Sequence, residues 1–469
     1  MRLPRRDLLK VVGTSLAAAT ASRVPLGRAS ATTRAGTRIT RDVCILGGGS
    51  AGTYAAVRLR DMGKSVVVVE RKGRLGGHAE TVYDPATGAA CDIGVVVFEN
   101  VPIVTGYFER FGVPLIPFPF SPNPPAYADF RTGRLSDYTP PSDAAFGAAL
   151  GAYLQILQQS FPYLDAGFQL PHPVPQDLLL PFRKFVEKYD LAALVPTVFS
   201  YGQGAGNLLA DPALYVLKLF SLSVVSSLAG GGFLSAPGGT AQLYDRAAEF
   251  LAGDVLVDSD IVRVDRRGPG TIEVDFETPD GLTRIACDKL VVAFPPYGEN
   301  LRLLDLDPLE AATFGGFRAN YYATGLVKLS GLPAGQAVYN MRSDTPYHLP
   351  DLPAVYQFDP APAPGLWNVK FGSAFWLPDH VVRAKMVEAI RRLNAEGTFP
   401  GVTFEGFLAF SAHAPFQMMV SSEQIAAGFY RTLGSLQGRH RTFYTGAAFQ
   451  TNDSSLIWRF TESLLPKIV

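Results

Sequence analysis

The chain contains few residues that bind metals or form covalent links. Of its 469 residues only three are cysteine (Cys44, Cys91 and Cys287) and six are histidine. Cys44 and Cys287 fall in or beside apolar strand-like segments, so we interpret the cysteines as small core residues rather than as disulfide partners. The cysteines and histidines do not have the spacing of a ligand set, so we expect no metal.

Charge is also scarce, and it is balanced. Charged residues make up 18% of the chain, the formal net charge is zero, and hydrophobic residues make up 47%. No basic cluster occurs beyond the N-terminus, so nucleic acid is not an expected partner. This composition is typical of a well-buried globular enzyme, and the length suffices for two domains or for one nucleotide domain with a lid.

No apolar run near the N-terminus is long enough to span a bilayer. Residues 11–21 would form a helix of roughly 17 Å, against a hydrocarbon core of about 30 Å. Residues 5–10 (RRDLLK) resemble the twin-arginine pattern, and residues 29–31 (ASA) form a small-residue cleavage site. We therefore predict that residues 1–31 are a twin-arginine signal peptide and that the protein is periplasmic or extracellular; the alternative is a disordered basic tail.

The most informative stretch is residues 43–52, where an apolar strand-like run breaks into Gly47-x-Gly49-x-x-Gly52. Gly47 permits a tight strand-to-helix turn, and Gly49 lets the backbone approach a pyrophosphate. Gly52 lets the helix lie close to the sheet, with its N-terminal N–H groups facing the phosphates. Glu70 ends the next strand, where its carboxylate can accept hydrogen bonds from a ribose. Together these residues predict a dinucleotide site; the alternative is a purely structural turn.

A second motif overlaps the first. Residues 48–52 also fit G-x-S-x-G, the nucleophile elbow of α/β-hydrolases, for which His413 or His440 could supply the histidine. That reading places the elbow on the first strand of the mature chain and leaves Gly47 and Glu70 unexplained. We therefore favour the dinucleotide site.

The rest of the chain divides by pattern. Residues 111–141 are rich in proline and aromatic residues and suit a loop, whereas residues 142–229 are helical. Asp211 is predicted to cap a lid helix with Pro212 at its first position. Strands are predicted at residues 255–257, 261–264, 271–276, 289–294 and 442–446, and a last helix from residues 452–455 to about 465.

Several of these segments resemble motifs of the flavin amine oxidase superfamily of FAD enzymes. Besides the first fingerprint, they are Glu70 with the Gly76-Gly77 turn, and residues 92–94, 291–296 and 443–446. Within the superfamily the chain is most similar to the flavin-dependent polyunsaturated fatty acid isomerases, at residues 199–202, 212–218 and 437–439. The likeness covers most of residues 40–469.

The resemblance implies an α/β fold: a Rossmann-type FAD-binding domain of the GR2-like amine oxidase kind, with a mixed-sheet substrate domain and a helical lid. The FAD-binding domain would comprise residues 40–98, 232–310 and 406–469. The substrate and lid domain would comprise residues 99–231 and 311–405.

The resemblance also assigns roles in holding FAD. The residues so assigned are Gly47, Gly49, Ser50, Ala51 and Gly52 for the pyrophosphate, Glu70 for the adenosine ribose, Lys72 and His78 for the polar edge of the cofactor, Gly76 and Gly77 for the second glycine turn, Gly94 beside the flavin, Ile261 for the adenine through its backbone, and Gly446 for the ribityl chain. Two departures from the family pattern are present. Ala447 replaces the usual acid after Gly446, and the loop matching residues 118–130 lacks the arginine that clamps a substrate carboxylate in the isomerases, which counts against a free fatty acid.

A flavin ring accepts a hydride, so the protein must supply orientation, dryness and electrostatics. Candidate residues for the catalytic face are Tyr201 and His413, with Tyr322 and Lys328 as further possibilities; for each of them core packing is the alternative. The 31 Phe and 19 Tyr favour an apolar small-molecule substrate. We predict an FAD-dependent oxidoreductase that moves a hydride from an apolar C–H to the flavin. The alternatives are a redox-neutral double-bond isomerase of a fatty-acid-like substrate and a non-catalytic flavin-holding accessory protein.

Overall fold

A computed structural model describes residues 37–119, 123–230, 232–279 and 281–469, and Thr37–Val469 form one compact unit. The predicted signal peptide lies outside the described residues. The strands are β1 (Thr37–Leu46), β2 (Val66–Val69), β3 (Thr81–Tyr83), β4 (Ala90–Asp92), β5 (Phe98–Glu99), β6 (Ile116–Pro117), β7 (Ala126–Asp129), β8 (Arg134–Leu135), β9 (Phe233–Ser235), β10 (Val255–Leu256), β11 (Asp260–Asp265), β12 (Ile272–Thr278), β13 (Gly281–Val292), β14 (Arg318–Ala319), β15 (Tyr321–Ser330), β16 (Val338–Asn340), β17 (Ala354–Pro360), β18 (Leu366–Ser373), β19 (Thr403–His413), β20 (Met418–Met419) and β21 (Thr442–Tyr444).

Helices connect and cover these strands. The α-helices are α1 (Ser50–Asp61), α2 (Pro102–Arg110), α3 (Asp143–Ser160), α4 (Gln176–Leu179), α5 (Phe182–Tyr189), α6 (Val195–Tyr201), α7 (Ala213–Leu219), α8 (Leu222–Gly230), α9 (Ala241–Phe250), α10 (Pro308–Phe314), α11 (Asp379–Ala395), α12 (Ser422–Ala426), α13 (Phe429–Ser435) and α14 (Ser454–Ile468). Short 3₁₀ helices are formed by Leu164–Ala166, Ala192–Leu194, Gly298–Leu303, Pro346–His348 and Arg439–Arg441.

The first large sheet carries the predicted dinucleotide turn. Its order is β10-β2-β1-β13-β12-β11, with β21 beside β13. Strands β10, β2, β1, β13 and β21 are parallel, whereas β12 and β11 are antiparallel additions. All four valines of Val66–Val69 are buried, as expected for a central parallel strand covered on both faces. The α/β Rossmann-type prediction is therefore confirmed.

The second large sheet has the order β19-β15-β18-β17-β16-β7-β8 and is mixed, because β16 pairs with β7 in parallel while the other pairs are antiparallel. Helix α11 packs against β19, β17 and β18. The predicted domain boundaries stay a prediction, although β19 runs through the one at 405–406.

The helical lid differs in detail from the prediction. Asp211 does not cap α7; its carboxylate instead accepts a hydrogen bond of 2.8 Å from Arg318, and Pro212 is the N-cap residue. The expected single helix is two, because α7 ends at Leu219 and α8 begins at Leu222. The apolar run gave no local signal for that break, which tertiary packing decides.

Among the described residues, no helix by itself has the length and apolar character needed to cross a membrane. Helices α7 and α8 taken together reach that length and composition, but they meet at an angle of 43°. Every residue of α7 is buried in the protein.

Candidate functional site

The turn between β1 and α1 has the geometry that the glycine spacing predicted. Gly47 has a φ of +98°, which favours glycine. A Cβ on Gly52 would lie 1.9 Å from the Gly47 carbonyl oxygen, so a larger residue there would push α1 off the turn. A Cβ on Gly49 would meet only the Cα of Gly77, at 3.8 Å. The space in front of Gly49 is therefore open, as a pyrophosphate site requires.

The second glycine turn lies directly against the first. The Gly76 N–H donates to the Gly48 carbonyl over 2.8 Å. Gly77 has a φ of +59°, and a Cβ there would lie 2.9 Å from the Cα of Gly49. The second turn thus needs glycine at Gly77, where the turns meet, and together the two turns form a cradle of bare main chain.

Glu70 lies at the end of β2, next to the turn, and is 7% exposed. Its Oε2 accepts a hydrogen bond from the Gly48 N–H and its Oε1 accepts one from the Lys72 N–H, both over 2.7 Å. Each carboxylate oxygen keeps a lone pair that a ribose hydroxyl could use. The Ser259 N–H donates to the Glu70 carbonyl over 3.0 Å, which brings the start of β11, with Ile261, beside this corner.

Lys72 is held by a carboxylate. Its Nζ donates to Glu80 Oε1 over 2.7 Å and to the Gly77 carbonyl over 3.2 Å, while Arg74 approaches the same Glu80 oxygen to 2.6 Å. Burial alone would raise the pKa of Glu80, but hydrogen bonds from Lys72 and Ser411 lower it to about 2. This ion-pair cluster fixes the loop that carries the second glycine turn.

Ser50 and Ala51 begin α1, where the first N–H groups of a helix have no partner within it. The Ser50 hydroxyl lies 3.2 Å from the Ser454 hydroxyl, and it accepts a hydrogen bond of 3.0 Å from the indole N–H of Trp458. None of the described hydrogen bonds joins Ser50 to a histidine. These contacts of Ser50 therefore do not support the hydrolase interpretation.

A wall of aromatic rings forms where β15 and β19 pair. The register places Tyr322 opposite His413, and their rings lie 5.6 Å apart with an angle of 23° between planes. The His78 ring meets the His413 ring edge-on at 4.6 Å, and the Phe416 ring lies 5.0 Å from that of Tyr322. These four residues, the aromatic wall, come from three parts of the chain, and His78 is more than 200 residues away from the other three.

His413 is the most constrained member of the aromatic wall. It is 1% exposed, and its Nε2 lies 3.2 Å from the Ile93 carbonyl oxygen and 3.4 Å from the Thr324 hydroxyl. Since that hydroxyl itself donates to Ile93, Nε2 carries the proton that reaches the carbonyl. Burial lowers the pKa of His413 to about 4, so the ring is neutral at pH 7. Its Nδ1 is then a buried acceptor, and it has no partner among the described residues.

Gly94 backs this wall. A Cβ at Gly94 would lie 1.7 Å from the His78 carbonyl oxygen, so only glycine permits the backbone after β4 to approach His78 this closely. Burial, together with the neighbouring His413, lowers the pKa of His78 well below its ordinary value. His78 and Gly94, which were each predicted to hold FAD, thus meet next to His413.

Tyr201 lies elsewhere. It is the last residue of α6, and its ring packs on Phe220 and Phe233 at 5.7 and 5.6 Å. Burial raises the pKa of Tyr201 well above its ordinary value, and the nearby carboxyl groups of Glu99 and Asp453 add to this. None of the described ring contacts joins Tyr201 to His413, so these two candidates do not act on one another directly.

Sequence reasoning missed two polar residues that contact the aromatic wall, Gln203 and Thr324. The Tyr322 hydroxyl donates to Gln203 Oε1 over 2.9 Å, and Thr324 donates to the Ile93 carbonyl over 2.5 Å. The glycine-rich segment after Tyr201 was the sequence signal available for Gln203. The structure places this segment against the wall, because a Cβ at Gly204 would lie 2.4 Å from the Phe416 ring. Lys328, a further possibility, is 63% exposed and pairs with Glu405.

Gly446 has a φ of +103°, and a Cβ there would meet only the Ala293 carbonyl oxygen at 3.7 Å and Ala51 Cβ at 3.9 Å. It therefore stands at the mouth of the β1–α1 turn, next to Ala447. The segment that follows leads into α14, whose N-terminal Ser454 lies beside Ser50.

One group of possible metal ligands was not predicted from spacing. Atoms of Asp307, Glu310 and His440 lie within 4.8 Å of one another. Arg439 and His440 both pair with Asp307, and Arg266 binds both Glu310 oxygens at 3.0 and 2.8 Å. Bound arginines already neutralise these carboxylates, so we interpret the group as a salt-bridge cluster.

The residues present fit FAD. The open cradle at Gly49 and Gly77 suits a diphosphate, Glu70 presents free lone pairs to a ribose, and the unpartnered Nδ1 of His413 lies in a dry aromatic wall. The cradle and Glu70 are features that a dinucleotide site needs, and the unpartnered Nδ1 is one that packing alone leaves unexplained.

Comparison with known proteins also points to FAD. A family model described as flavin containing amine oxidoreductase matches residues 50–327. The FAD-dependent oxidoreductase oblC of Cochliobolus heterostrophus is 37% identical over 92% of both chains. Beta-cyclopiazonate dehydrogenase of Aspergillus oryzae is 36% identical, covering 92% of this chain and 93% of its own. The crystal structure of the CLA-producing fatty acid isomerase from P. acnes has a TM-score of 0.74 at 20% identity, over 91% of this chain and 98% of that one; at such identity the likeness shows the fold.

The chain belongs to the flavin-containing amine oxidoreductase family. It is an enzyme, an FAD-dependent oxidoreductase, which confirms the predicted family and cofactor and sets aside the non-catalytic alternative.

Proposed function

We propose that this enzyme oxidises an apolar small molecule by removing a hydride from a carbon held against the aromatic wall. The observation that carries the proposal is the neutral, buried His413, whose Nδ1 has no partner among the described residues. When bound, the flavin accepts the hydride.

In this proposal His413 accepts the proton that the substrate loses together with the hydride. Its Nε2–H is directed to the Ile93 carbonyl, which fixes the tautomer and leaves Nδ1 with a free lone pair. A substrate N–H or O–H that loses its proton as the adjacent C–H bond breaks can donate to this atom. The depressed pKa keeps the lone pair available above about pH 4.

The rest of the wall orients the substrate and excludes water. Tyr322 and Phe416 provide flat apolar surfaces, and the Gln203 amide fixes the Tyr322 hydroxyl. Few polar groups in an aromatic wall favour an apolar substrate with one polar handle. An apolar amine fits this description, and the description of the matching family, flavin containing amine oxidoreductase, supports it.

Anaerobic mixing tests the proposal. Holoenzyme is mixed without oxygen with apolar amines, terpenoids and unsaturated fatty acids, and the flavin absorbance is followed. Bleaching that persists until oxygen or another acceptor is added supports net oxidation. A product with a moved double bond, formed without lasting bleaching, would instead support the isomerase.

The His413→Gln variant tests the base. With a reducing substrate, we expect the rate of flavin reduction to fall by roughly 10²–10⁴-fold, the usual contribution of a general base. His172→Gln, at an exposed position, is the matched control. An unchanged rate in His413→Gln would contradict the assignment.

We further propose export by the twin-arginine route, on the pattern of residues 5–10 and the cleavage site at residues 29–31. This route suits a protein that loads its cofactor before crossing. Replacing Arg5 and Arg6 together by Lys should leave yellow holoenzyme uncleaved inside the cell. Equal release of the variant and the wild type would refute the route.

A further inference from the structure

A cavity outside the aromatic wall is lined mainly by polar side chains. Its volume is about 340 Å³, near the lower end of the range of small-ligand sites. It is bounded by the lid helix α8, the start of α2 and helix α14, and none of the four residues of the wall lines it. Its polar lining consists of Asn100, Asp165, Ser223, Ser226, Ser227 and Arg459.

The three serines form one face of α8. They occur at positions 223, 226 and 227, with Gly230 one turn further, which is the spacing of a single helical face. Val224 and Val225, by contrast, are fully buried in the main hydrophobic core. Helix α8 thus turns its apolar side chains to the core and its hydroxyls to the cavity.

One of these hydroxyls has no partner. Ser223 is 7% exposed, and its Oγ is buried without a hydrogen bond from or to any described residue. A buried hydroxyl that makes no hydrogen bond costs free energy, so packing of the chain alone does not explain its position. A polar group inside the cavity would satisfy it.

Two opposite charges line the cavity without neutralising each other. Asp165 accepts a hydrogen bond of 3.1 Å from the Ser223 N–H through Oδ2, which leaves Oδ1 as an acceptor. None of the ion pairs among the described residues includes Asp165 or Arg459. The amine of Lys218, the other cation near Asp165, donates to the carbonyls of Leu164 and Gly167 and to the Gln450 side chain instead.

This arrangement fits a ligand with two opposite charges. The Arg459 guanidinium presents paired N–H donors, which match the two oxygens of a carboxylate. Asp165 Oδ1 can accept a hydrogen bond from an ammonium group. A ligand with only a carboxylate would face the charge of Asp165 without a partner for it, and a ligand with only an ammonium group would do the same at Arg459.

We propose that this cavity binds a small zwitterion, a molecule with one carboxylate and one ammonium group. The carboxylate pairs with Arg459 and accepts a hydrogen bond from the Ser223 hydroxyl, while the ammonium group pairs with Asp165. The ligand thereby joins the lid helix α8 to α14. No covalent bond changes, and the inference does not depend on the proposed oxidation, because the aromatic wall takes no part in it.

Isothermal titration calorimetry of the holoenzyme tests the site with three probes of increasing length: glycine, β-alanine and 4-aminobutanoate. At least one of them should bind. The carboxylate or the amine alone with the same carbon chain, such as butanoate or propylamine for 4-aminobutanoate, should bind at least about tenfold more weakly, because each loses one charged hydrogen-bonding group. If none of the three amino acids binds, the cavity holds water only and the proposal is wrong. Equal binding of the carboxylate alone would also overturn it.

Two variants show where the probe binds. Arg459→Met and Asp165→Asn should each weaken its binding at least about tenfold, since each removes a charged partner. Asparagine keeps an oxygen that can accept from the Ser223 N–H, and the flavin content of both variants checks that they are folded. Arg431→Met, at an exposed arginine of α13, is the control and should bind the probe as the wild type does. Unweakened binding in Arg459→Met or in Asp165→Asn would contradict the proposal.

Ser223→Ala gives a readout that a purely structural serine would not. Because the variant removes an unmet buried hydroxyl, the ligand-free protein should be at least as stable to urea as the wild type. The probe should nevertheless bind more weakly, by roughly two- to tenfold, because one hydrogen bond to it is lost. Reduced stability of the ligand-free variant, or unchanged affinity for the probe, would refute the role of this hydroxyl in the site.

Discussion

At the scale of single residues, the glycines of the two turns carry the most information. Gly47 and Gly77 need their positive φ, whereas Gly49 needs only the empty space in front of it. A substitution at Gly49 therefore separates cofactor binding from folding better than one at Gly52, where a Cβ would collide with the backbone.

We expect Gly49→Val to fold and to be purified without flavin, because its side chain would occupy the place of the diphosphate. The absorption spectrum and the flavin content after denaturation measure this. Gly147→Val, on the exposed face of α3, is the control and should be yellow. A yellow Gly49→Val protein would contradict the placement.

The buried side chain of His413 should make the fold acid-sensitive. The pKa of His413 is about 4 in the folded state and about 6.5 when unfolded, so the unfolded chain binds the proton more tightly. The stability that neutral His413 provides is present above pH 6.5 and is lost as the pH falls towards 4, by about 3 kcal/mol. His78, with its lowered pKa, contributes in the same direction.

Urea unfolding of His413→Gln between pH 7 and pH 4 measures this dependence. The variant should lose less unfolding free energy over that range than the wild type, by about the same 3 kcal/mol. Because His78 still titrates in the variant, some acid sensitivity should remain. Parallel curves for the two proteins would show that His413 is not buried in its neutral form.

At the scale of elements, a sequence pattern was sufficient to predict a turn, a strand end or a helix cap that is formed by the same few residues. The β1–α1 turn, Glu70 at the end of β2 and the Asp453 cap of α14 were all predictable, because the glycine, carboxylate and cap requirements lie within a few residues of the structure they specify. The break between α7 and α8 was not, since the lysine and serines that interrupt this apolar run do not mark where it bends.

The aromatic wall shows that contacts between distant residues of the site were likewise not predictable from local sequence patterns. His413 and Tyr322 could be named from their apolar surroundings, but their contact depends on the register of β15 against β19. Tyr201 was placed with them because it precedes a glycine-rich segment, yet the end of α6 turns its ring to Phe220 and Phe233.

The cap of α10 should contribute more than an ordinary cap. Asp307 accepts hydrogen bonds from the N–H groups of Leu309 and Glu310, at 2.8 and 3.0 Å, and also pairs with Arg439 and His440. Although burial raises its pKa, the hydrogen bonds and the two basic groups hold it well below the ordinary value.

Asp307→Ala should therefore lower the unfolding free energy by about 2 kcal/mol or more, against about 1 kcal/mol for Ser421→Ala at the exposed cap of α12. Denaturant titration at pH 7 gives both values. The difference should shrink at acid pH, where the Asp307 carboxylate of the wild type becomes protonated and loses its ion pairs. Equal losses for the two variants at pH 7 would refute the added role.

At the scale of the whole molecule, the cofactor cradle joins distant parts of the chain. The β1–α1 turn, the second glycine turn, the start of β11 and the segment around Gly446 meet at one corner of the first sheet. A ligand that bridges these parts binds only the folded state, so it stabilises the entire unit.

FAD added to apo-protein should raise the melting temperature of the wild type, with a gain in stability of about 2.7 kcal/mol when free FAD exceeds its Kd a hundredfold. The apo-form of Gly49→Val should melt at an unchanged temperature with or without FAD. Scanning calorimetry with and without FAD measures both. A shift of equal size in the variant would mean that the dinucleotide binds elsewhere.

The indole of Trp458 gives this enzyme an optical reporter of its own. Of the three tryptophans, Trp376 is exposed and Trp367 lies in the second sheet, whereas Trp458 donates to Ser50 at the start of α1. Its emission overlaps the absorption of a flavin, so excitation energy passes from it to a ring bound nearby. With Trp367 and Trp376 replaced by Phe, the remaining fluorescence would follow the loading of each molecule in real time, without an attached dye.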